Sequence, residues 1–169
     1  ILIGTQMIVK GHDFANVTLV GILAADLSLN VGDYLAAEKT FQLTTQACGR
    51  AGRADKPGEV VIQTYQPEHY SIVCAARNDY KSFYEQEILI REMLQYPPIS
   101  NILGVLVLSE NESSADNLAK ILADKMKLYH DVTVLGPTPA AISKAKDVYR
   151  RMVYGKCTDC LLYTSDAAD

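Results

Sequence analysis

Two apolar, β-branched runs separated by a helix-forming stretch constrain this chain more than any other feature. Val17-Thr18-Leu19-Val20-Gly21-Ile22-Leu23 is apolar on both faces, the pattern of a central strand in a parallel sheet. Gly58-Glu59-Val60-Val61-Ile62-Gln63-Thr64-Tyr65 reads as a second strand. Between them, residues 34–48 hold no proline or glycine and suit a helix. Parallel neighbours need a crossover of this length, so the order predicts an α/β layer with a parallel sheet. Ile1-Leu2-Ile3-Gly4-Thr5 reads as the second half of a further buried strand entering a loop, so the chain is expected to begin inside a core strand.

Pro67-Glu68 is placed to open a helix running through Arg77, with proline in its first turn. Residues 78–94 predict an amphipathic helix with Asn78 as N-cap. Its stripe is Tyr80, Phe83, Tyr84, Glu87, Ile88, Arg91 and Leu94, read as packing surface. Pro97-Pro98 stops it and marks a boundary. A second unit follows: a strand over 102–108 and a helix over 113–129 with Ala115, Leu118, Ala119, Leu122 and Met126 on one face. Then come a short strand over 132–135, a stiff Gly136-Pro137-Thr138-Pro139 turn and a strand over 148–154. This predicts a small, incomplete α+β domain. The expected organisation is 1–95 and 96–159.

Composition narrows the function classes. Apolar residues make up 49% and charged residues 21%, as in globular domains. No apolar run approaches the roughly 18 residues that cross a bilayer, and no signal-peptide pattern opens the chain. The formal charge is −4, so nucleic-acid contact must come from local patches. Residues 160–169 resemble the translation of a sequencing adapter and are set aside as a non-native tail. That leaves Cys157-Thr158-Asp159-Cys160 as a lone C-x-x-C whose second cysteine lies in the tail, so no metal site is expected. Cys48 and Cys74 read as packed thiols.

The strongest chemical signal is Gln46-Ala47-Cys48-Gly49-Arg50-Ala51-Gly52-Arg53. Glycine lets a backbone approach a large anion closely. Each guanidinium is a planar fork of donors that stays charged. On a helical turn, three-residue spacing points both arginines to one side. Such a pair suits charge spread over the oxygens of a transferring phosphoryl group. Gln46, one turn earlier, is placed to orient a water or a phosphate oxygen. A solvated surface turn is the competing reading of the same residues.

A second cue lies near the C-terminus. Lys144, Lys146, Arg150, Arg151 and Lys156 stand against Asp147, with Tyr149 and Tyr154 interleaved. The strip suits a DNA backbone with a stacked base, or equally a solvated strand edge blunted by lysine.

Gln46 to Arg53 resembles motif VI of superfamily-two helicases, and Gly4-Thr5-Gln6-Met7-Ile8-Val9-Lys10-Gly11-His12-Asp13-Phe14 resembles their motif V. Together with Val17-Thr18-Leu19-Val20-Gly21-Ile22-Leu23-Ala24-Ala25-Asp26, Ala36-Ala37-Glu38-Lys39-Thr40-Phe41-Gln42-Leu43, Gly58-Glu59-Val60, Gln63-Thr64-Tyr65-Gln66-Pro67-Glu68-His69, Tyr96-Pro97-Pro98 and Gly136-Pro137-Thr138-Pro139-Ala140, they are similar to the primosomal protein N′ (PriA) helicase family over nearly all of 1–156. Ala15, Leu35 and Cys48 depart from that pattern, standing where proline, arginine and a small residue are usual.

The resemblance implies a RecA-like second helicase lobe carrying motifs V and VI, followed by a truncated α+β C-terminal domain. The activity implied is ATP-dependent 3′-5′ DNA unwinding, recognition of stalled or branched forks and initiation of primosome assembly. Arg53 is then the arginine finger, Arg50 shares its charge, and Gln46 sits near the phosphates. Gly11, Asp13, Gly49 and Gly52 line the nucleotide cleft. Thr5 and Lys10 contact DNA, and Lys144, Arg150 and Arg151 form the C-terminal DNA strip. His12 is placed near the same anions, whereas His69 and His130 read as surface or cap residues. No Walker A or B motif is present. ATP with Mg²⁺ is therefore expected to sit mainly on another lobe, with zinc ligands also elsewhere. Implied partners are single-stranded and forked DNA, other primosome proteins, single-stranded-DNA-binding protein and the replicative helicase loader, in the bacterial cytoplasm with no membrane role. The alternatives are another superfamily-two fork-remodelling translocase or a non-catalytic nucleic-acid-binding module.

Overall fold

The computed structural model describes residues 1–5, 16–52 and 57–158. The chain packs as two units that divide between Ile90 and Arg91.

In the first unit, β1 (Leu19–Ile22) and β2 (Glu59–Ile62) pair in parallel, Leu19 opposite Glu59 and Ile22 opposite Ile62. A 3-10 helix (Ala25–Asn30) and α1 (Ala36–Cys48) make the crossover between them. The strand–helix–strand order is as expected, but β1 is not a central strand among the described residues. Its sheet has two strands, and Leu19 is 61% exposed. Ile1 to Thr5 form no strand, and Ile1, Leu2 and Ile3 are exposed.

Both strands end earlier than their apolar runs because the backbone leaves the ladder. Ala24 turns left-handed at φ 49°. Gln63 holds that turn twice, its carbonyl accepting from Ala25 N–H at 3.0 Å and its side chain from Ala24 N–H at 2.6 Å. Asp26, buried beside it, accepts Tyr65 N–H at 3.2 Å.

α1 buries Ala36, Thr40, Phe41, Thr44 and Ala47, a helical spacing. α2 (Tyr70–Ala76) starts three residues after Pro67 because His69 caps it, its ring nitrogen accepting Ser71 N–H at 3.3 Å. Asn78 is not the cap of α3 (Tyr80–Leu94). Asn78 takes φ 53° at the end of α2, and Asp79 accepts both Ser82 N–H at 3.0 Å and Ser82 Oγ–H at 2.6 Å. The buried stripe of α3 is narrower than the sequence suggested: Phe83 and Glu87 in the first unit are buried, while Tyr80 and Tyr84 are exposed. Phe83 stacks on Phe41 at 4.2 Å between ring centres, beside Cys74 and Ala75. Glu87 is buried with a partner, since Tyr70 O–H donates to its carboxylate at 2.6 Å.

The second unit is a three-stranded antiparallel sheet with one helix across it. β3 (Asn101–Ser109), α4 (Glu112–Met126), β4 (Thr133–Ala145) and β5 (Val148–Cys157) follow in sequence, and β5 lies between β3 and β4. Asn111 caps α4 by accepting Ser114 N–H at 3.0 Å. Ala115, Ala119 and Ala123 bring the helix close to Val107 and Val153. Leu118, expected on that face, is exposed, and Ala123, one turn after Ala119, is buried there instead.

Gly136-Pro137-Thr138-Pro139 is not a turn either. It lies within β4, an edge strand whose register with β5 shifts between Leu135 and Thr138 and again between Pro139 and Lys144. Prolines lack the N–H that a ladder needs, so they fit an irregular edge. The reversal comes at Lys146 and Asp147, at φ 49° and 60°, which is the two-residue hairpin turn matching strand twist.

Gly136 is required at its position. Its φ is 98°, and a Cβ there would stand 2.8 Å from Met152 O. Gly136→Ala is expected to cost about 2–3 kcal/mol from a strained backbone and the clash. Urea unfolding followed by circular dichroism checks this, as a lower midpoint at unchanged slope.

Candidate functional site

The helix that crosses from β1 to β2 delivers the arginine segment to the starts of both strands. α1 ends at Cys48, and the chain tightens: Arg50 N–H reaches Ala47 O at 3.0 Å and Ala51 N–H reaches Cys48 O at 3.3 Å. Residues 49–52 are therefore a turn beyond the helix, and helix geometry does not aim the Arg50 side chain. Arg50 is half-buried, Gln46 on the last turn of α1 is exposed, and Gly49 and Gly52 are exposed. Arg53 lies outside the described residues.

Two interactions seat the turn. Gly52, at φ 71°, donates its N–H to Val17 O at 3.0 Å. Glu59 N–H donates to Thr18 O at 2.8 Å, so β1 and β2 start side by side there. Val17 follows closely on the segment read as motif V. Lys10, Gly11, His12 and Asp13 of that segment lie outside the described residues. Thr5 is described and exposed. The arrangement brings the Arg50 turn beside Val17.

Cys48, half-buried next to the turn, has its thiol pKa pushed up by burial. Cys74 is pushed up too, by burial and then by Asp79. A thiol held protonated in this way is a poor nucleophile and metal ligand. Among the described residues, no three His, Cys, Asp or Glu side chains group as metal ligands. No helix is long and apolar enough to cross a membrane, among the described residues.

The basic strip of the second unit does not present its charges together. Alternation along β5 sends Arg151, Val153, Gly155 and Cys157 toward α4, and Arg150, Met152, Tyr154 and Lys156 to the opposite face of the sheet. Arg151 is 7% exposed and engages both oxygens of Asp116, with a further bond to Glu112 at 2.9 Å. Its guanidinium ties β5 to the first two turns of α4, which removes it from the expected DNA strip. Lys144 is shared with Asp147 at 3.2 Å and lies 4.8 Å from the Tyr149 ring centre. Lys156 stands 3.8 Å over the Tyr96 ring and donates to Leu94 O at 2.9 Å. Arg150 and Lys146 have no acidic partner among the described residues, and the buried Arg150 Nε makes no hydrogen bond there. Nothing in the sequence marked Arg151 as the inward member of the pair except the period of two along the strand.

Residues 92–160 match the family described as the primosomal protein N C-terminal domain. The chain is 49% identical over 152 residues to the replication restart protein PriA of Bacillus subtilis, covering 89% of this chain and 19% of that protein. It is 43% identical to PriA of Synechocystis over 89% of this chain and 18% of that protein, and 38% identical to PriA of Borreliella burgdorferi over 89% and 23%. The chain thus spans about a fifth of the length of these curated relatives.

The Arg151 clamp carries a pH signature. Hydrogen bonding to Arg151 holds the Asp116 carboxyl below the usual aspartate range. The folded state therefore binds that proton less readily than the unfolded state. The stabilisation is complete above the unfolded aspartate pKa of about 3.9 and is lost as pH falls through the folded value. Unfolding midpoints measured from pH 6 downward should fall more steeply for the wild type than for Asp116→Asn. The difference should shrink in high salt, because both acids are more than half exposed.

Proposed function

We propose that this chain, which is similar to PriA proteins and matches the primosomal protein N C-terminal domain at residues 92–160, supplies the second, RecA-like motor lobe and part of the C-terminal domain of an ATP-dependent 3′-5′ DNA helicase. That helicase recognises stalled or branched replication forks and initiates primosome assembly. Its nucleotide, with Mg²⁺, is held mainly by another lobe, and this chain brings the Arg50 turn to the phosphates. The observation that carries the reading is the bond from Gly52 N–H to Val17 O, which ties the arginine turn to the residues just after motif V. In a motor of this type those two segments must move as one, because one feels the nucleotide and the other the DNA strand.

The chemistry assigned to this chain is electrostatic. A guanidinium in a fixed turn meets charge that grows on the phosphoryl oxygens, and so favours the transition state over bound ATP. Its fork geometry allows two parallel hydrogen bonds to one phosphate. Rigid seating matters because the donor then needs no reorganisation at the moment of transfer. In the second unit, Arg150, Lys146 and Lys144, which is shared with Asp147, are the cations available to a DNA backbone. Arg151 acts there as a structural clamp. Primosome proteins, single-stranded-DNA-binding protein and the helicase loader are the partners that this assignment brings with it.

Arg50→Ala in the full-length protein is expected to lower kcat for DNA-stimulated ATP hydrolysis by about 100-fold, less than the roughly 10³–10⁵-fold of the arginine finger, which this assignment gives to Arg53. Nucleotide-free binding to single-stranded DNA should stay within about twofold, since no phosphoryl charge is then involved. Unchanged turnover in the variant overturns the assignment.

A further inference from the structure

We propose that Gly58 is a positioning residue for the arginine turn: the side chain it lacks is the space in which the backbone of Ala51 and Gly52 sits. The inference rests on the nucleotide-contact reading of that turn. A Cβ built on Gly58 would collide with Gly52 N, and would stand 2.5 Å from Ala51 C and 2.7 Å from Ala51 Cβ. Two of these three neighbours are backbone atoms, so no rotamer change relieves them. A Cβ on Gly21, in the middle of β1, or on Gly32 would meet nothing within 4 Å.

Gly58 stands directly before β2, whose first residue bonds to Thr18 O at 2.8 Å. Gly52 bonds to Val17 O at 3.0 Å, one residue earlier on the same segment. The turn is thus held from two sides, by a hydrogen bond to the start of β1 and by close backbone packing on the start of β2. Moving Gly58 outward would pull on the β1–β2 ladder, and moving the turn outward would break the Val17 bond. A methyl group at residue 58 forces one of these, and the turn is the element to give way, because Gly52 N–H to Val17 O is what ties it to β1 among the described residues, whereas β1 and β2 pair along four residues. Arg50, two residues before Gly52, would move with it.

A displacement of about 1 Å costs a reacting assembly on the order of 100-fold in rate. Gly58→Ala in the full-length protein is therefore expected to lower kcat for ATP hydrolysis by about 10- to 100-fold, with the KM for ATP within about threefold. Rates are to be normalised to the fraction competent to bind single-stranded DNA without nucleotide, which removes any loss from misfolding. Gly21→Ala, which adds the same methyl group in open space, is the control and should retain the wild-type kcat. Hydrogen exchange on the same proteins should show protection lost at residues 49–52 and kept at 19–22 and 59–62.

Wild-type kcat for Gly58→Ala, or protection lost equally over the turn and both strands, overturns the positioning role. Arg50→Ala separates the two ideas. If that variant turns over ATP normally, the nucleotide reading fails, while exchange at 49–52 still tests whether Gly58 seats the turn.

Discussion

Parallel pairing of β1 with β2 fixes where the arginine turn lies. Strands that run side by side in one direction force the connecting chain to travel back along the sheet, and α1 is that return path. A helix entered from the end of β1 must finish near the starts of both strands. Arg50 follows that finish by two residues, so its location is a consequence of topology rather than of any attraction between arginine and its surroundings. The local bonds then remove the remaining freedom: Gly52 closes on Val17, and β1 and β2 are already locked at Thr18 and Glu59. Side-chain packing contributes from the other face of α1, where Phe41 stacks on Phe83 and draws α2 and α3 against the crossover.

The elements most legible in the sequence were those whose hydrophobic period and end signals agree. The α1 crossover, β2, β3, α4 and β5 all appear within a few residues of their expected places. The misplacements share one physical origin, competition between neighbouring signals. Pro67 suggested a helix start, but the His69 side chain offered Ser71 N–H a partner two residues later. Asn78 suggested a cap, yet Asp79 reaches both donors of Ser82 while Asn78 absorbs the left-handed turn between two helices. Gly136-Pro137-Thr138-Pro139 looked like a reversal because glycine and proline dominate reversals. An edge strand tolerates the same residues, and the pairing of Thr138 with Met152 and Pro139 with Arg151 carries the chain straight through.

The candidate site was legible in part for a related reason. Motif spacing identified the arginine turn, but it could not say that α1 stops at Cys48, so helix geometry does not carry over to Arg50. Gly58 entered the sequence reading only as the start of a strand and as part of the family resemblance, with no role of its own. A glycine before a strand reads as an ordinary start, and only the approach of Ala51 and Gly52 distinguishes it.

Arg150 and Arg151 show how adjacency in sequence can conceal opposition in space. A basic pair counts as one patch in any tally of charge, but a strand sends neighbours to opposite faces. Which of the two turns inward is decided by what the covering helix offers. Glu112 and Asp116, one turn apart on α4, sit above residue 151, and they repay its desolvation with hydrogen bonds. Without those carboxylates the inward position would have to be apolar, as Val153 is two residues on. The acids on the helix and the inward arginine on the strand therefore form one structural choice. Any nucleic-acid function of this sheet falls to the cations on its other face and at its hairpin tip.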